Sequence, residues 1–307
     1  MVTVLRPLTI SELLDRTFHL YRNNFLVFVG IMAIPQLLIL ALRIEVSTLD
    51  SSQIGTILLA VYGVGLVSFI AAEISHAATV MAVSNFHLDR PATIGSAYSA
   101  AKGSLLRVIG ISLLVLLIPV LFAIPVMIVI GIVFAVTFAV GGGVGLNNVA
   151  IIRVMSGFAV LIIPVVALKW WLQWSLVVPV TVLEGGGLRT SMRRSKALTK
   201  GSRGRIFLVY VLLVILGAVV SWVIQSPLLA VVGFRILRQP GAMTGVVGAI
   251  SAVGVFLSTS LVGALAGIAL TLIYYDQRVR KEGFDLQLMM ANLEPATSPS
   301  AQAAPAS

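Results

Sequence analysis

The chain has 307 residues, 59% hydrophobic and 10% charged, with a mean hydropathy of +1.06 and a formal net charge of +10. Soluble domains carry roughly a quarter charged residues, so this composition has too little polar side chain to wet a globule. It argues against a soluble enzyme, an extracellular module, a disordered chain and a nucleic-acid binder, and leaves a polytopic membrane protein.

Residues 1–24 carry Arg6, Glu12, Asp15, Arg16 and Arg22, with no apolar core and no cleavage pattern before Phe25, unlike a signal peptide. Within them Thr9 or Ser11 can cap a helix, and Glu12 follows Thr9 at capping-box spacing. Leu13, Leu14, Thr17, Phe18 and Tyr21 then share one side. The expectation is an amphipathic helix, either lying at the headgroup boundary or docked on the helical bundle.

Charge-free runs mark six spans, at about 25–42, 54–84, 105–140, 149–182, 206–232 and 246–275. Several exceed the roughly 20 residues that a perpendicular helix needs, which calls for tilt, kinks or extension past the bilayer. The 105–140 run reads as one helix kinked at Pro119 and Pro125, because "LLIPVLFAIPVM" offers no polar group to a turn's exposed backbone. The alternative is a hairpin there, matched by a second hairpin within 149–182, which would make eight spans. The fold class is thus all-α, a transmembrane helical bundle over 25–286, with a disordered Ala/Pro/Ser-rich tail at 287–307.

The charges give an orientation. Segments 1–24, 85–107, 183–205 and 275 onward hold three, three, seven and three Lys or Arg, sixteen of the 21. That asymmetry places these segments, and both termini, in the cytosol, and accounts for the basic charge without nucleic acid. The same segments share a design. Acidic residues close the return helices at Asp89, Glu184 and Asp276, and "YRNNF", "AKGSL" and "TKGSR" lead into the outgoing ones. The chain therefore reads as three helical hairpins, each preceded by a short helix, from duplication or from shared membrane constraints.

In the most basic segment, Arg189, Arg193, Arg194, Lys196, Lys200, Arg203 and Arg205 would face anionic headgroups, each contributing about 1 kcal/mol near such a surface. They are candidates for binding a headgroup or a partner, or else a plain positive-inside anchor. Ionisable residues at membrane depth are site candidates by default. Glu73 lies sixteen residues before Asp89, Lys169 fifteen before Glu184, and His76 follows Glu73 by three on the same face. The expectation is a Glu73–Lys169 ion pair with His76 beside it, lining a polar cavity. Against it stand a protonated Glu73, a snorkelling Lys169 and a hydrogen-bonded buried His76. Trp170, Trp171 and Trp174 mark either a membrane interface or a packing patch; an interface would make Lys169 shallower. Gly263 and Gly267 have the spacing for close helix approach. "GGGVGLNN" at 141–148 lacks a following Lys-Ser/Thr and is no phosphate loop. With no cysteine, and with His19, His76 and His87 not spaced as metal ligands, no metal and no cofactor are implied.

"RPLTISELLDRTFHLYRNNF", "PVTVLEGGGLRTSMRRSKALTKGSRGRIF" and "LIYYDQRVRKEGFDL" resemble blocks of the glycerophosphoryl diester phosphodiesterase membrane-domain family and related bacterial multi-span proteins. The three blocks run from residue 6 to 286. The resemblance implies a helical protein of the bacterial inner membrane. Some relatives carry a soluble phosphodiesterase barrel with metal-binding carboxylates and a His-Arg motif; no His-Arg pair occurs here, so the resemblance brings no catalysis with it. The expected role is a non-enzymatic membrane module that binds lipid headgroups or a partner at its basic face. The alternative is a small transporter or lipid translocator working through Glu73 and Lys169. Expected partners are membrane lipids, anionic headgroups among them, and a membrane protein or a second copy of the chain.

Overall fold

The structure, a computed structural model, describes residues 8–49, 54–88, 90–140, 165–238 and 244–283. Among these residues every regular element is helical. Six helices are long and apolar enough to cross a bilayer, and the protein is a multi-pass membrane bundle. Its outer surface is apolar, as lipid requires: Leu59 of the second span is 77% exposed, while Ile268 of the last is fully buried.

The order is short helix, long helix, long helix, three times over. First come α1 (Ile10–Asn23), α2 (Phe25–Ser47) and α3 (Ile54–His87). Next are α4 (Ile94–Ala101), α5 (Leu105–Val140) and a broken span made of α6 (165–174) and α7 (Val177–Glu184). Last come α8 (Leu188–Thr199), α9 (Arg203–Arg238) and α10 (Thr244–Glu282). The expected alternation of short and long helices is therefore present. α5 is one continuous helix of 36 residues, so the hairpin alternative at Pro119–Pro125 does not form.

Local chemistry explains the boundaries. Thr9 caps α1: its hydroxyl accepts from the Glu12 amide at 3.3 Å, and the Thr9 amide donates to the Glu12 carboxylate at 2.8 Å. Thr93 and Ser96 make the equivalent box at α4. The break between α6 and α7 falls at Ser175–Leu176. Pro179 has no N–H for the Ser175 carbonyl, and its ring crowds that carbonyl, so the helix restarts with proline in its first turn. Gly185 then ends α7 in the left-handed region at φ 67°.

α10 is the hub, packing against α1, α2, α3, α7, α8 and α9. Small residues on it allow close approaches. A Cβ on Gly263 would sit 3.2 Å from the Met32 sulfur of α2, and one on Gly267 would sit 3.1 Å from Thr79 Cγ2 of α3. The glycine pair thus serves two different neighbours. Around the hub, one core joins Leu13, Leu176, Leu198, Ile206 and Tyr274, and another joins Phe28, Ile31, Ala78, Ala97 and Ile268.

α1 spends its apolar face on protein. Leu13 and Thr17 are fully buried, and the Tyr21 hydroxyl donates to the Leu261 carbonyl of α10. The docked arrangement is the one observed, with Phe18 (40% exposed) left on the outside. The tail at 287–307, Asp89, and the "GGGVGLNN" stretch lie outside the described residues.

Candidate functional site

Two regions carry the polar chemistry. At one end of the bundle, where α1, α4 and α8 gather, the seven basic candidates separate into two groups. Arg194, Arg203 and Arg205 are tied into the fold. Arg194 Nε meets Glu184 at 3.0 Å, and its terminal nitrogen donates to Glu282 at 2.8 Å. The hydrogen bond that Arg194 donates to Glu282, with Glu184 alongside, lifts the Arg194 pKa above its usual value against the opposing effect of burial. Tyr274 donates to the same Glu184 at 2.9 Å, and Arg278 reaches Glu282 at 3.3 Å. Arg203 reaches the Gln173 side-chain oxygen at 3.5 Å.

Arg205 belongs to a tighter cluster. The Asp276 carboxylate, 1% exposed, receives Arg205 and Arg280 at 2.9 Å each. Its other oxygen accepts the Leu8 amide at 2.8 Å, while the Leu8 carbonyl accepts from both arginines. One carboxylate therefore pins the start of α1 to α9 and α10. Lys281 donates to the Ala197, Leu198 and Lys200 carbonyls at 2.9, 2.8 and 2.6 Å, satisfying the end of α8.

Arg189, Arg193, Lys196 and Lys200 form the second group. All four are exposed, and their side chains make no hydrogen bond or ion pair among the described residues. Their spacing of four, three and four puts them in one row along α8. Ser191, Ser195, Leu198 and Thr199 fill the opposite, buried face. Ser195 and Thr199 donate to the Gln173 carbonyl at 3.2 and 3.1 Å, a carbonyl close to the α6–α7 break. α8 is thus clamped on one side and presents a bare cationic stripe on the other.

The second region is a cavity of about 740 Å³ bounded by α3, α5, α6, α7, α9 and α10. Glu73 and His76 both line it, but its walls are mostly apolar, unlike the polar cavity expected. Ser112 of α5 donates to the Glu73 carboxylate at 2.6 Å and is its only hydrogen-bond partner among the described residues. Lys169 behaves differently from expectation. It is exposed, does not line the cavity, and makes no ion pair with Glu73. The reason is rotational. Ala167, Leu168, Trp171, Trp174 and Ser175 face the cavity, and a residue two before Trp171 lies on the other side of the helix.

Trp171 packs on Tyr210 of α9, with ring centroids 4.1 Å apart. The Trp170 and Trp174 rings also pack, with centroids 6.1 Å apart. Ser112, Gln173 and Tyr210 were missed in the sequence. Only Ser112 had a signal there, as a lone hydroxyl in an apolar run. No group of three or more His, Cys, Asp or Glu among the described residues could hold a metal ion.

In comparison with known proteins, no family model matches the chain, and neither does any curated protein or solved structure.

Proposed function

We propose that this multi-pass protein is a non-enzymatic module of a bacterial inner membrane that binds anionic lipid headgroups at its basic end. In this reading the basic end and both termini face the cytosol. The observation that carries it is the division of the α8 cations. Arg194, Arg203 and Arg205 have protein partners, whereas Arg189, Arg193, Lys196 and Lys200 stand exposed in one row without any among the described residues. Four uncompensated cations beside a bilayer favour an anionic surface by about 1 kcal/mol each. The sixteen Lys and Arg in the four basic segments support the orientation. The likeness of three sequence blocks to the glycerophosphoryl diester phosphodiesterase membrane domain supports the bacterial inner-membrane setting.

The test is lipid enrichment. The purified protein and a variant carrying Arg189→Gln, Arg193→Gln, Lys196→Gln and Lys200→Gln are extracted from mixed phosphatidylglycerol–phosphatidylcholine membranes, and the bound lipid is quantified. Enrichment of phosphatidylglycerol by the wild type, lost in the variant and weakened by salt, supports the reading. Equal enrichment by both proteins contradicts it, and loss of a co-purifying protein in place of lipid would assign the stripe to a protein partner. The transport reading retains Glu73 and His76 but loses the cation it needed at Lys169.

A further inference from the structure

The cavity combines features that the headgroup reading leaves unused. Its walls are apolar and aromatic, with Trp171, Trp174, Tyr210 and Phe207 contributed by α6 and α9. One carboxylate, Glu73, reaches it from α3, held by Ser112 and without a cationic partner among the described residues. Exposed Leu116 of α5 and Ile215 of α9, both lining residues, leave it open between those helices. Its volume of about 740 Å³ falls within the roughly 300–1,000 Å³ of small-molecule sites.

We propose that this cavity binds a lipophilic organic cation, a molecule with an apolar, aromatic body and one positive charge. A carboxylate in a low-dielectric site is costly unless paired, and the described residues of the neighbouring helices supply no such partner. Among the described residues, His76, one turn along α3, is the only other titratable group on that helix's cavity face, and Tyr210 the only one from α9; α5, α6, α7 and α10 bring none. An anionic amphiphile would meet Glu73 with like charge. A neutral acyl chain would fill the apolar volume and leave the carboxylate without a counter-charge. A cation satisfies both parts of the site, because aromatic faces attract positive charge as well as apolar surface. The opening between α5 and α9 admits such a molecule from the surrounding lipid. The site is separate from the α8 stripe, and either can fail without the other.

The experiment uses two ions of the same shape and opposite charge. Radiolabelled tetraphenylphosphonium is bound to the full-length protein in detergent, and unlabelled tetraphenylphosphonium or tetraphenylborate is added as competitor. Saturable binding, displaced by the cation and not by the anion, is expected. Glu73→Gln retains an acceptor for Ser112 and should bind about tenfold more weakly or worse, with its unfolding midpoint unchanged. Glu73→Asp should retain most of the binding, and Trp171→Ala should lose severalfold. Displacement by tetraphenylborate as effective as by the cation, absence of saturable binding, or wild-type binding by a folded Glu73→Gln protein would each overturn the proposal. The comparison of the two ions requires no variant, so it decides the matter even if Glu73→Gln fails to fold.

Discussion

The basic end and the cavity handle charge in opposite ways. At the basic end, carboxylates are surrounded by donors: Asp276 receives two arginines and a backbone amide, and Glu184 receives an arginine and a tyrosine. In the cavity, Glu73 has one hydroxyl among the described residues. A carboxylate saturated by its own protein serves to hold helices together. A carboxylate left with a single neutral donor in an apolar setting contributes little to the fold and remains available to something else. The same division appears within α8, where adjacent Arg193 and Arg194 differ completely, one bare and one bridging two glutamates.

That contrast can be broken most severely at Asp276. Replacing Asp276 by Ala leaves Arg205 and Arg280 facing each other and the Leu8 amide without its acceptor. Loss of one member of a buried pair costs about 3–5 kcal/mol, so the unfolding midpoint in detergent should fall sharply; Glu73→Gln in the same assay should barely move it. A second, smaller effect comes from Gly267→Leu, which forces α10 away from Thr79 of α3. Overpacking at such a contact costs about 1–3 kcal/mol and should appear as a lower midpoint with unchanged lipid enrichment.

Smaller still is the cap of α1. Thr9→Ala removes the acceptor for the Glu12 amide, worth about 1 kcal/mol, and should raise protease cleavage near residues 8–12 while the spans stay protected. The mildest and sharpest comparison is Arg194→Gln against Arg193→Gln. Arg194 is partly exposed, so its ion pairs contribute up to about 1 kcal/mol and weaken with salt. Arg193→Gln should leave stability within about 0.5 kcal/mol of wild type and reduce only phosphatidylglycerol enrichment. Equal behaviour of the two variants would remove the distinction between structural and exposed cations.

Features governed by local chemistry were legible in the sequence. The Thr9–Glu12 box, the apolar spans, the alternation of short and long helices and the close approach at Gly263 and Gly267 follow from spacing and residue type alone. Pairing across helices was not. Periodicity assigned Glu73 and His76 to one face, but the partner of Glu73 depended on how far α6 was rotated and where it broke. Pro179 marks that break, yet the rotation that turns Trp171 and not Lys169 to the cavity shows only in the folded bundle. Likewise the seven basic residues of 183–205 look equivalent in the sequence. Their separation depends on carboxylates up to ninety residues away, Asp276 and Glu282 on α10.

The orientation of the bundle underlies the functional reading, and the absence of cysteine makes it directly measurable. Lys196→Cys and Thr48→Cys each introduce a single thiol, at opposite ends of the bundle, for labelling with a membrane-impermeant maleimide in intact cells. The account predicts labelling at position 48 before permeabilisation and at 196 only after it. Labelling of 196 in intact cells, or of both positions from the same side, would contradict it.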